Sequence, residues 1–275
     1  MGNEQSYGAG QYSELPLSGL SPENGLYVIY TPDNRYIRPN ETVLTIKQKY
    51  RSWTGDDSIV NDLNGIKWFD ITVPMWTFPA TRTLTDPFGQ EIGQYQVRSI
   101  TVHAAAHITV QTSTGRWCVA TVRKTPRGFG VGNADIFIHN PMQPVENLAS
   151  TDGIQPNIQV HGNFRTKDSS FMKVMGIING NQLQLCKIAQ LERDSNHPNT
   201  YCLRIGTNVD VAFICMCAYA LDELFPESRP TRSLLNPHNK CYRHDRINCH
   251  MPLCNGSSAR CYRHGKKNCI HVHCK

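Results

Sequence analysis

The strongest constraint on the fold is an apolar segment late in the chain, NVDVAFICMCAYALDELF (208–225). Every residue from Val211 to Leu221 is apolar, a cysteine or a tyrosine, and helix-forming residues dominate. Thr207-x-x-Asp210 resembles a capping box and predicts the helix start, while Pro226 predicts its end. A helix with no polar side must be buried on all sides.

Two environments can bury such a helix, a membrane or a protein core. A transmembrane helix needs about 20 apolar residues. This run is shorter, and it is flanked by Asp210 on one side and by Asp222 and Glu223 on the other. We therefore expect a protein core, which requires that the preceding chain surround the helix.

The preceding chain has the pattern of a β-sheet protein. Hydrophobic residues alternate with period two from Tyr27 onward, and no helical period precedes residue 208. The strand-like runs are 43–49, 66–73, 95–102, 108–112, 117–123, 135–139, 157–161, 171–178, 182–191 and 200–205. Turn signals separate several of them: Asn64-Gly65, Asp86-Pro87-Phe88-Gly89, Thr114-Gly115 and Asn179-Gly180-Asn181. This pattern predicts an antiparallel barrel or sandwich, and a closed barrel has both a lumen for the helix and no exposed edge.

Three segments carry a family resemblance. LTIKQKYRSWTGDDSIVNDLNGIKWFDI (44–71), RTLTDPFG (82–89) and the apolar segment 208–225 resemble the LURP-one-related family. That family belongs to the tubby C-terminal-like superfamily, together with the phospholipid scramblases. The resemblance covers residues 27–226 and implies a mainly β fold, a twelve-stranded barrel around a central hydrophobic helix.

The resemblance also suggests a lipid ligand, because tubby relatives bind phosphoinositide headgroups. Lys47, Lys49 and Arg51 share one face at strand spacing and are the candidate lipid-binding residues. A solvated strand face is the alternative. The acidic calcium segment and the palmitoylated cysteine cluster of scramblases are missing here, so lipid scrambling is the third-ranked function.

The N-terminal residues 1–26 have the composition of a flexible segment. The first six, MGNEQS, match the pattern for myristoylation at Gly2. An ordinary polar N-terminus is the alternative. Asp56, Asp57, Asn61, Asp62 and Asn64 superficially resemble a calcium loop, but their spacing fits a tight turn better.

The C-terminal region differs from the rest in charge and in cysteine content. Residues 229–275 hold ten Lys/Arg and one acid, a net charge of +9, whereas residues 1–228 carry −3. Six of the eleven cysteines lie in 241–274. No signal peptide is evident, which indicates a reducing compartment where clustered Cys and His bind metal more often than they form disulfides.

The cysteines belong to an internal duplication. CYRHDRINCHMPLC (241–254) and CYRHGKKNCIHVHC (261–274) share the spacing C-x2-H-x4-C-x4-C. Four nitrogen and sulfur donors within fourteen residues suit one tetrahedral Zn²⁺ per unit, two in all. The predicted ligands are Cys241, His244, Cys249, Cys254, Cys261, His264, Cys269 and Cys274. Three disulfides or an incidental disordered tail are the alternatives.

The repeat is similar to the retroviral-type zinc knuckle, C-x2-C-x4-H-x4-C, with the second and third ligand types exchanged. Each unit places an aromatic and a basic residue after its first cysteine: Tyr242 and Arg243, Tyr262 and Arg263. Rings and cations suit single-stranded nucleic acid. They equally suit an anionic membrane surface or an acidic protein.

Catalytic signatures such as G-x-S-x-G, the P-loop and H-E-x-x-H are not found in the sequence. We therefore expect a non-enzymatic adaptor. It comprises a barrel (27–226), a linker (227–240) and two zinc units (241–254 and 261–274). The expected partner is a phosphoinositide-bearing membrane or a protein, with single-stranded nucleic acid as the alternative. The expected location is the cytoplasm, peripherally at the inner face of a membrane, or the nucleus.

The zinc assignment predicts a metal stoichiometry. Purified protein should contain about two zinc ions per chain, and a 1–230 truncation should contain none, because every predicted ligand lies beyond residue 240. Elemental mass spectrometry measures both. An equal zinc content in the two proteins, or none in either, would exclude the tail as a zinc module.

Overall fold

The structure is a computed structural model that describes most of the region preceding the cysteine-rich tail. The described residues are 16–29, 34–48, 58–72, 81–98, 104–125, 132–144, 148, 150–163, 168–178, 182–193, 200–225, 240–241 and 246–247. The chain divides into two units, Met1–Glu227 and Ser228–Lys275. In the second unit, Lys240–Cys241 (β13) pairs antiparallel with Arg246–Ile247 (β14).

The first unit is a closed antiparallel barrel of twelve strands. Each strand pairs with its neighbours in sequence, and β1 pairs with β12 to close the cylinder. The strands are β1 (Thr42–Gln48), β2 (Ser58–Asp62), β3 (Lys67–Thr72), β4 (Thr81–Thr85), β5 (Glu91–Arg98), β6 (Ala105–Thr112), β7 (Gly115–Lys124), β8 (Gly132–Pro144), β9 (Ile158–Asn163), β10 (Asp168–Ile178), β11 (Gln182–Arg193) and β12 (Thr200–Ile205). The predicted fold class is therefore confirmed.

Ten of the twelve strands coincide with runs predicted from alternation. Strand β2 was missed because its acidic and amide residues resemble a turn, yet Ser58 and Val60 alternate inward and are buried. Strand β4 was missed because Leu84 is its one large apolar residue. The turns predicted near Gly65, Gly89 and Gly115 are confirmed, since all three glycines have positive φ.

The apolar segment forms one helix, α1 (Val211–Leu224), which fills the barrel lumen. All residues from Val211 to Leu221 are buried, as is Leu224. The helix packs against β5, β6, β7 and β12. Burial by a protein core, as expected from the length of the run, is confirmed. We call the end of the barrel where α1 begins the entry end and the end where α1 finishes the exit end.

In the described part of the chain, no helix is both long enough and apolar enough to span a membrane.

The helix begins at Val211, three residues later than the sequence suggested. Thr207 does not cap it. Asp210 is the N-cap, and its Oδ1 accepts a hydrogen bond from the backbone N–H of Phe213 at 3.0 Å. The capping-box prediction was wrong because Asn208 adopts a left-handed conformation, with φ of 56°, and keeps the preceding residues out of the helix.

The N-terminal segment lies across the entry end. Leu20, Leu26 and Ile29 are buried, although composition predicted a flexible segment through residue 26. Backbone hydrogen bonds connect Leu26 to Asn208 at 2.9 Å and to Asp210 at 3.0 Å. These bonds explain why a polar, Pro- and Gly-rich sequence is held in place here: its few apolar residues complete the core.

One side chain joins this segment to the helix. Oδ2 of Asp210 accepts hydrogen bonds from the backbone N–H groups of Ile29 at 2.7 Å and Val28 at 3.2 Å, while Oδ1 caps the helix. The carboxylate is fully buried. Replacing it would leave two buried backbone donors and one part-buried donor without this acceptor, and each buried donor left unpaired costs about 1–3 kcal/mol.

We therefore predict that Asp210→Ala lowers the free energy of unfolding by about 3 kcal/mol or more. At about 2–4 °C per kcal/mol for a domain of this size, the melting temperature should fall by about 10 °C. Thermal unfolding followed by circular dichroism measures this shift. The control is Asp70→Ala, which removes a wall carboxylate bonded to Lys67 at 2.7 Å and should shift melting little. Equal melting of the two variants would contradict the role of Asp210.

Candidate functional site

The lumen is occupied by the protein's own helix. The thiols of Cys215 and Cys217 are buried in it, and burial raises the pKa of both well above the ordinary value. They therefore act as small apolar side chains. At the exit end, Arg82 forms an ion pair with Glu223, and Lys124 lies 4.7 Å from the ring centroid of Phe225.

Two hairpins at the entry end contain the same five-residue turn. Residues Asp62–Ile66 connect β2 to β3, and residues Asp86–Gln90 connect β4 to β5. In each, the first residue is an aspartate and the fourth is a glycine with φ near +80°. A left-handed residue at this position of a hairpin loop strongly favours glycine. We call these two segments the twin turns.

The hydrogen bonds of the twin turns correspond one to one. Oδ1 of Asp62 accepts from the backbone N–H groups of Asn64 at 2.8 Å and Ile66 at 2.9 Å. Oδ1 of Asp86 accepts from Phe88 at 2.9 Å and Gln90 at 2.8 Å. In both turns the aspartate N–H also bonds to the fifth residue's carbonyl at 2.9 Å. Each tip is therefore fixed by its own side chain.

The twin turns expose large apolar side chains. Phe88 is 91% exposed, Leu63 70% and Ile66 61%. Turn positions are usually occupied by polar residues. A large apolar side chain stabilises the fold when it is buried, and these exposed side chains gain little stability in that way. Three large apolar residues exposed on two turns therefore make this region a candidate contact surface.

The twin turns lie at the same end of the barrel. The turn after β2 is beside the start of β1, because Asp62 pairs with Leu44. The start of β1 in turn pairs with the end of β12, immediately before the helix. Alternate hairpins of an antiparallel barrel share an end, which places the β4–β5 turn there too. Arg35 connects this turn to the N-terminal segment, with Nη1 3.4 Å from Oδ2 of Asp86.

An open groove of about 410 Å³ borders the first turn. The guanidinium of Arg38 lies 5.1 Å from the ring centroid of Trp68 on one side of it. Glu41 bonds to Arg204 at 2.9 Å on the other. Leu63 lies at the rim. The groove extends the contact surface from the turn toward β1, and its charges are balanced.

The predicted lipid-binding residues lie elsewhere. Lys47 is exposed and faces outward near the exit end of β1, where it pairs with Ile59 and Thr200. Lys49 and Arg51 are outside the described residues, as is Gly2. Lys47 and the twin turns are therefore at opposite ends of β1.

The predicted zinc tail is almost entirely outside the described residues. Of its ligands, only the backbone of Cys241 is described, paired in β13 with Arg246. Tyr242, Arg243, Tyr262 and Arg263 are also outside. Within the described residues, no group of three or more metal-ligating side chains comes together. The zinc units remain a prediction from spacing.

Histidines on the barrel wall form a short polar chain. His107 Nδ1 lies 3.1 Å from Thr121 Oγ1, which lies 2.9 Å from His139 Nε2. On β9, burial lowers the pKa of His161 to about 4. Burial also lowers the pKa of His139.

These observations define a class of protein: a closed twelve-stranded antiparallel barrel built around one apolar helix. The sequence profile of the LURP-one-related family matches residues 42–222, and the chain belongs to this family. The X-ray structure of a protein from Arabidopsis thaliana is similar, with a TM-score of 0.50 at 18% identity, covering 73% of this chain and 99% of that one. At this identity the similarity establishes the fold only. No curated protein sequence matches the chain.

Sequence reasoning missed the twin turns as a site. Asn64-Gly65 and Asp86-Pro87-Phe88-Gly89 were recognised as turns, but their apolar residues were not questioned. The available signal was a repeated Asp-x-x-Gly frame, with a large apolar residue at the second or third position of each turn. Its importance depends on exposure and on the shared barrel end, which only the folded structure gives.

The partly buried imidazole of His161 predicts a change of stability with pH. Its folded pKa of about 4 lies below the ordinary value of 6.5, so it stabilises the fold fully above pH 6.5. This contribution is lost as pH falls from 6.5 toward 4. Wild type should therefore lose more free energy of unfolding over this window than His161→Gln, measured by urea denaturation. Asp210 titrates identically in both proteins and cancels in the difference.

An NMR titration follows the protonation of His161 in the wild-type protein and so avoids any effect of the substitution on stability. Histidine ring NMR signals assigned with His161→Gln should show His161 still neutral at pH 5.5. A midpoint near 6.5 for His161 would contradict its burial as the dominant effect.

Proposed function

We propose that this protein is a non-enzymatic adaptor whose barrel binds an anionic phospholipid surface or a partner protein through its outer surface. The observation that carries the proposal is the filled lumen. In a barrel whose interior is packed with its own helix, ligand contacts must be made from outside. The exposed apolar tips, the groove beside Trp68 and the outward-facing Lys47 are the outer features that support it.

The lipid component rests on charge. Lys47, Lys49 and Arg51 alternate in the sequence, a spacing that places side chains on one face of a strand. Near an anionic membrane surface each such cation contributes about 1 kcal/mol. The exposure of Lys47 supports access by a phosphoinositide headgroup. Family membership is consistent with this kind of role and does not specify the ligand.

The tail contributes two Zn²⁺ units and additional positive charge. Each repeat supplies three cysteines and one histidine, a donor set suited to tetrahedral zinc. A unit of fourteen residues is too small to fold by hydrophobic burial alone, so metal binding and folding are coupled. The surrounding Lys and Arg residues strengthen attraction to an anionic partner. Myristoylation of Gly2 is the further anchor that the N-terminal pattern proposes.

Single-stranded nucleic acid is the second candidate partner. The duplicated Tyr242-Arg243 and Tyr262-Arg263 pairs favour it, since rings stack on bases and cations contact phosphates. Binding of full-length protein to single-stranded RNA, abolished by a zinc chelator and restored by zinc, would support this candidate. RNA binding that survives chelation would show that the zinc units are not needed for it and would contradict this candidate.

The lipid proposal predicts a headgroup-dependent affinity. Full-length protein should sediment with phosphatidylcholine vesicles containing a few per cent phosphatidylinositol bisphosphate. Lys47→Ala should weaken binding about fivefold, corresponding to about 1 kcal/mol. Lys47→Arg is the matched control, because it preserves the charge and should bind as wild type does. Equal binding by the alanine variant would remove Lys47 from the lipid site.

A further inference from the structure

We propose that the twin turns are a bilayer-insertion face, which places the side chains of Leu63, Ile66 and Phe88 among the acyl chains of a membrane. This rests on the membrane half of the proposed function and identifies a different contact from the Lys47 face. The ligand class is the bilayer interior itself, independent of a particular headgroup.

The shape of the surface favours a bilayer over a protein. The exposed side chains lie on the turns of two separate hairpins, and each turn also exposes a polar residue, Asn64 in one and Gln90 in the other. A protein partner would need two matching pits, because protein interfaces are closely packed. A fluid bilayer accommodates separate tips without such complementarity.

The hydrogen bonds within the turns also lower the free-energy cost of moving them from water into an apolar medium. The carboxylates of Asp62 and Asp86 are bonded to backbone N–H groups of their own turns. Polar backbone groups that already have partners inside the turn cost less to remove from water. The side chains at the tips can therefore insert while the turn keeps its hydrogen bonds.

Among the described residues, charge at this end is balanced rather than basic. Arg35 is paired with Asp86, and Lys67 is paired with Asp70 at 2.7 Å. Electrostatic attraction to anionic lipid is therefore not the driving force for this contact. It should depend on apolar area and should persist at high salt, unlike binding by the Lys47 face.

The N-terminal segment supplies an independent argument. Its described part lies across the same entry end, with Ser18 N–H bonded to the Lys187 carbonyl at 2.8 Å. Fifteen residues precede Pro16, and an extended chain of that length spans about 50 Å. A myristoyl group on Gly2, the modification proposed above, would therefore be within reach of a membrane that the twin turns touch. A single myristoyl chain binds only marginally, so a second hydrophobic contact at the same end would complete a two-part anchor.

The test uses full-length protein and vesicles of phosphatidylcholine alone, in flotation assays at low and high salt. Wild type should float at both salt concentrations. Phe88→Ser and the double variant Leu63→Ser/Ile66→Ser should each bind about tenfold or more weakly, the effect expected from losing one large buried apolar side chain. Ile154→Ser is the matched control, because Ile154 is 55% exposed and lies two residues from Asp152, which bonds at 2.7 Å to Arg123 near the exit end of β7. It should float as wild type does.

A spectroscopic variant reports insertion directly. Phe88→Trp should gain blue-shifted emission with vesicles, quenched by lipids brominated near the carbonyl end of the acyl chain. Unchanged melting of Phe88→Ser would show that loss of binding is not loss of folding, as expected for a side chain 91% exposed.

The outcomes separate this proposal from the proposed function. Binding that requires anionic lipid, is lost in Lys47→Ala and is unaffected by Phe88→Ser would overturn insertion while leaving the adaptor role intact. No binding to any vesicle would overturn both insertion and the lipid half of the proposed function. Vesicle binding by the Phe88→Trp variant with no change in its tryptophan emission would also overturn insertion and would leave the twin turns as a surface for a protein partner.

Discussion

A helix whose side chains are apolar on every face is stable in water only if it is surrounded, and this barrel is organised around that requirement. Twelve strands close into one cylinder, and α1 lies inside it with every residue from Val211 to Leu221 buried. Neither part is sufficient alone, since the barrel without the helix would have an empty apolar lumen. The interior is therefore committed to stability, and recognition is left to the ends and the outer wall.

The buried carboxylate of Asp210 both caps the helix and holds the N-terminal segment across the entry end of the barrel. It accepts hydrogen bonds from backbone N–H groups of the first turn of the helix and of the N-terminal segment. Burial raises its pKa to about 6, and the backbone donors Phe213, Ile29 and Val28 oppose that rise. At neutral pH the side chain is therefore ionised and its bonds are charge-assisted, which makes them stronger than neutral ones. One residue thus fixes where the helix begins and how the entry end is covered.

The sequence predicted the parts of this fold whose signal is periodic. Alternation identified ten strands, and the run from Val211 to Leu221 identified the helix and its burial. Strand β2 was missed because its polar residues obscured the alternation. Pairing with β1 and β3 in the folded barrel outweighs the weak strand preference of this sequence. The helix start was misplaced because the left-handed Asn208 and the contacts of Asp210 depend on residues about 180 positions away. The twin turns as a site were unpredictable for the same reason: exposure of Phe88 and its shared end with Leu63 are properties of the closed barrel.

An up-and-down barrel with an even number of strands has both of its termini at the same end. The first strand begins and the last strand finishes at the entry end, so the N-terminal segment, the helix start and the twin turns are all there. The helix then traverses the lumen and finishes at the exit end. Lys47 lies near the same end, close to the last residue of β1. Exposed apolar side chains at one end and the exposed Lys47 toward the other therefore follow from topology together with residue choice. Strand number alone would permit the reverse arrangement; Leu63, Ile66 and Phe88 on Asp-capped tips are what make the entry end the apolar one.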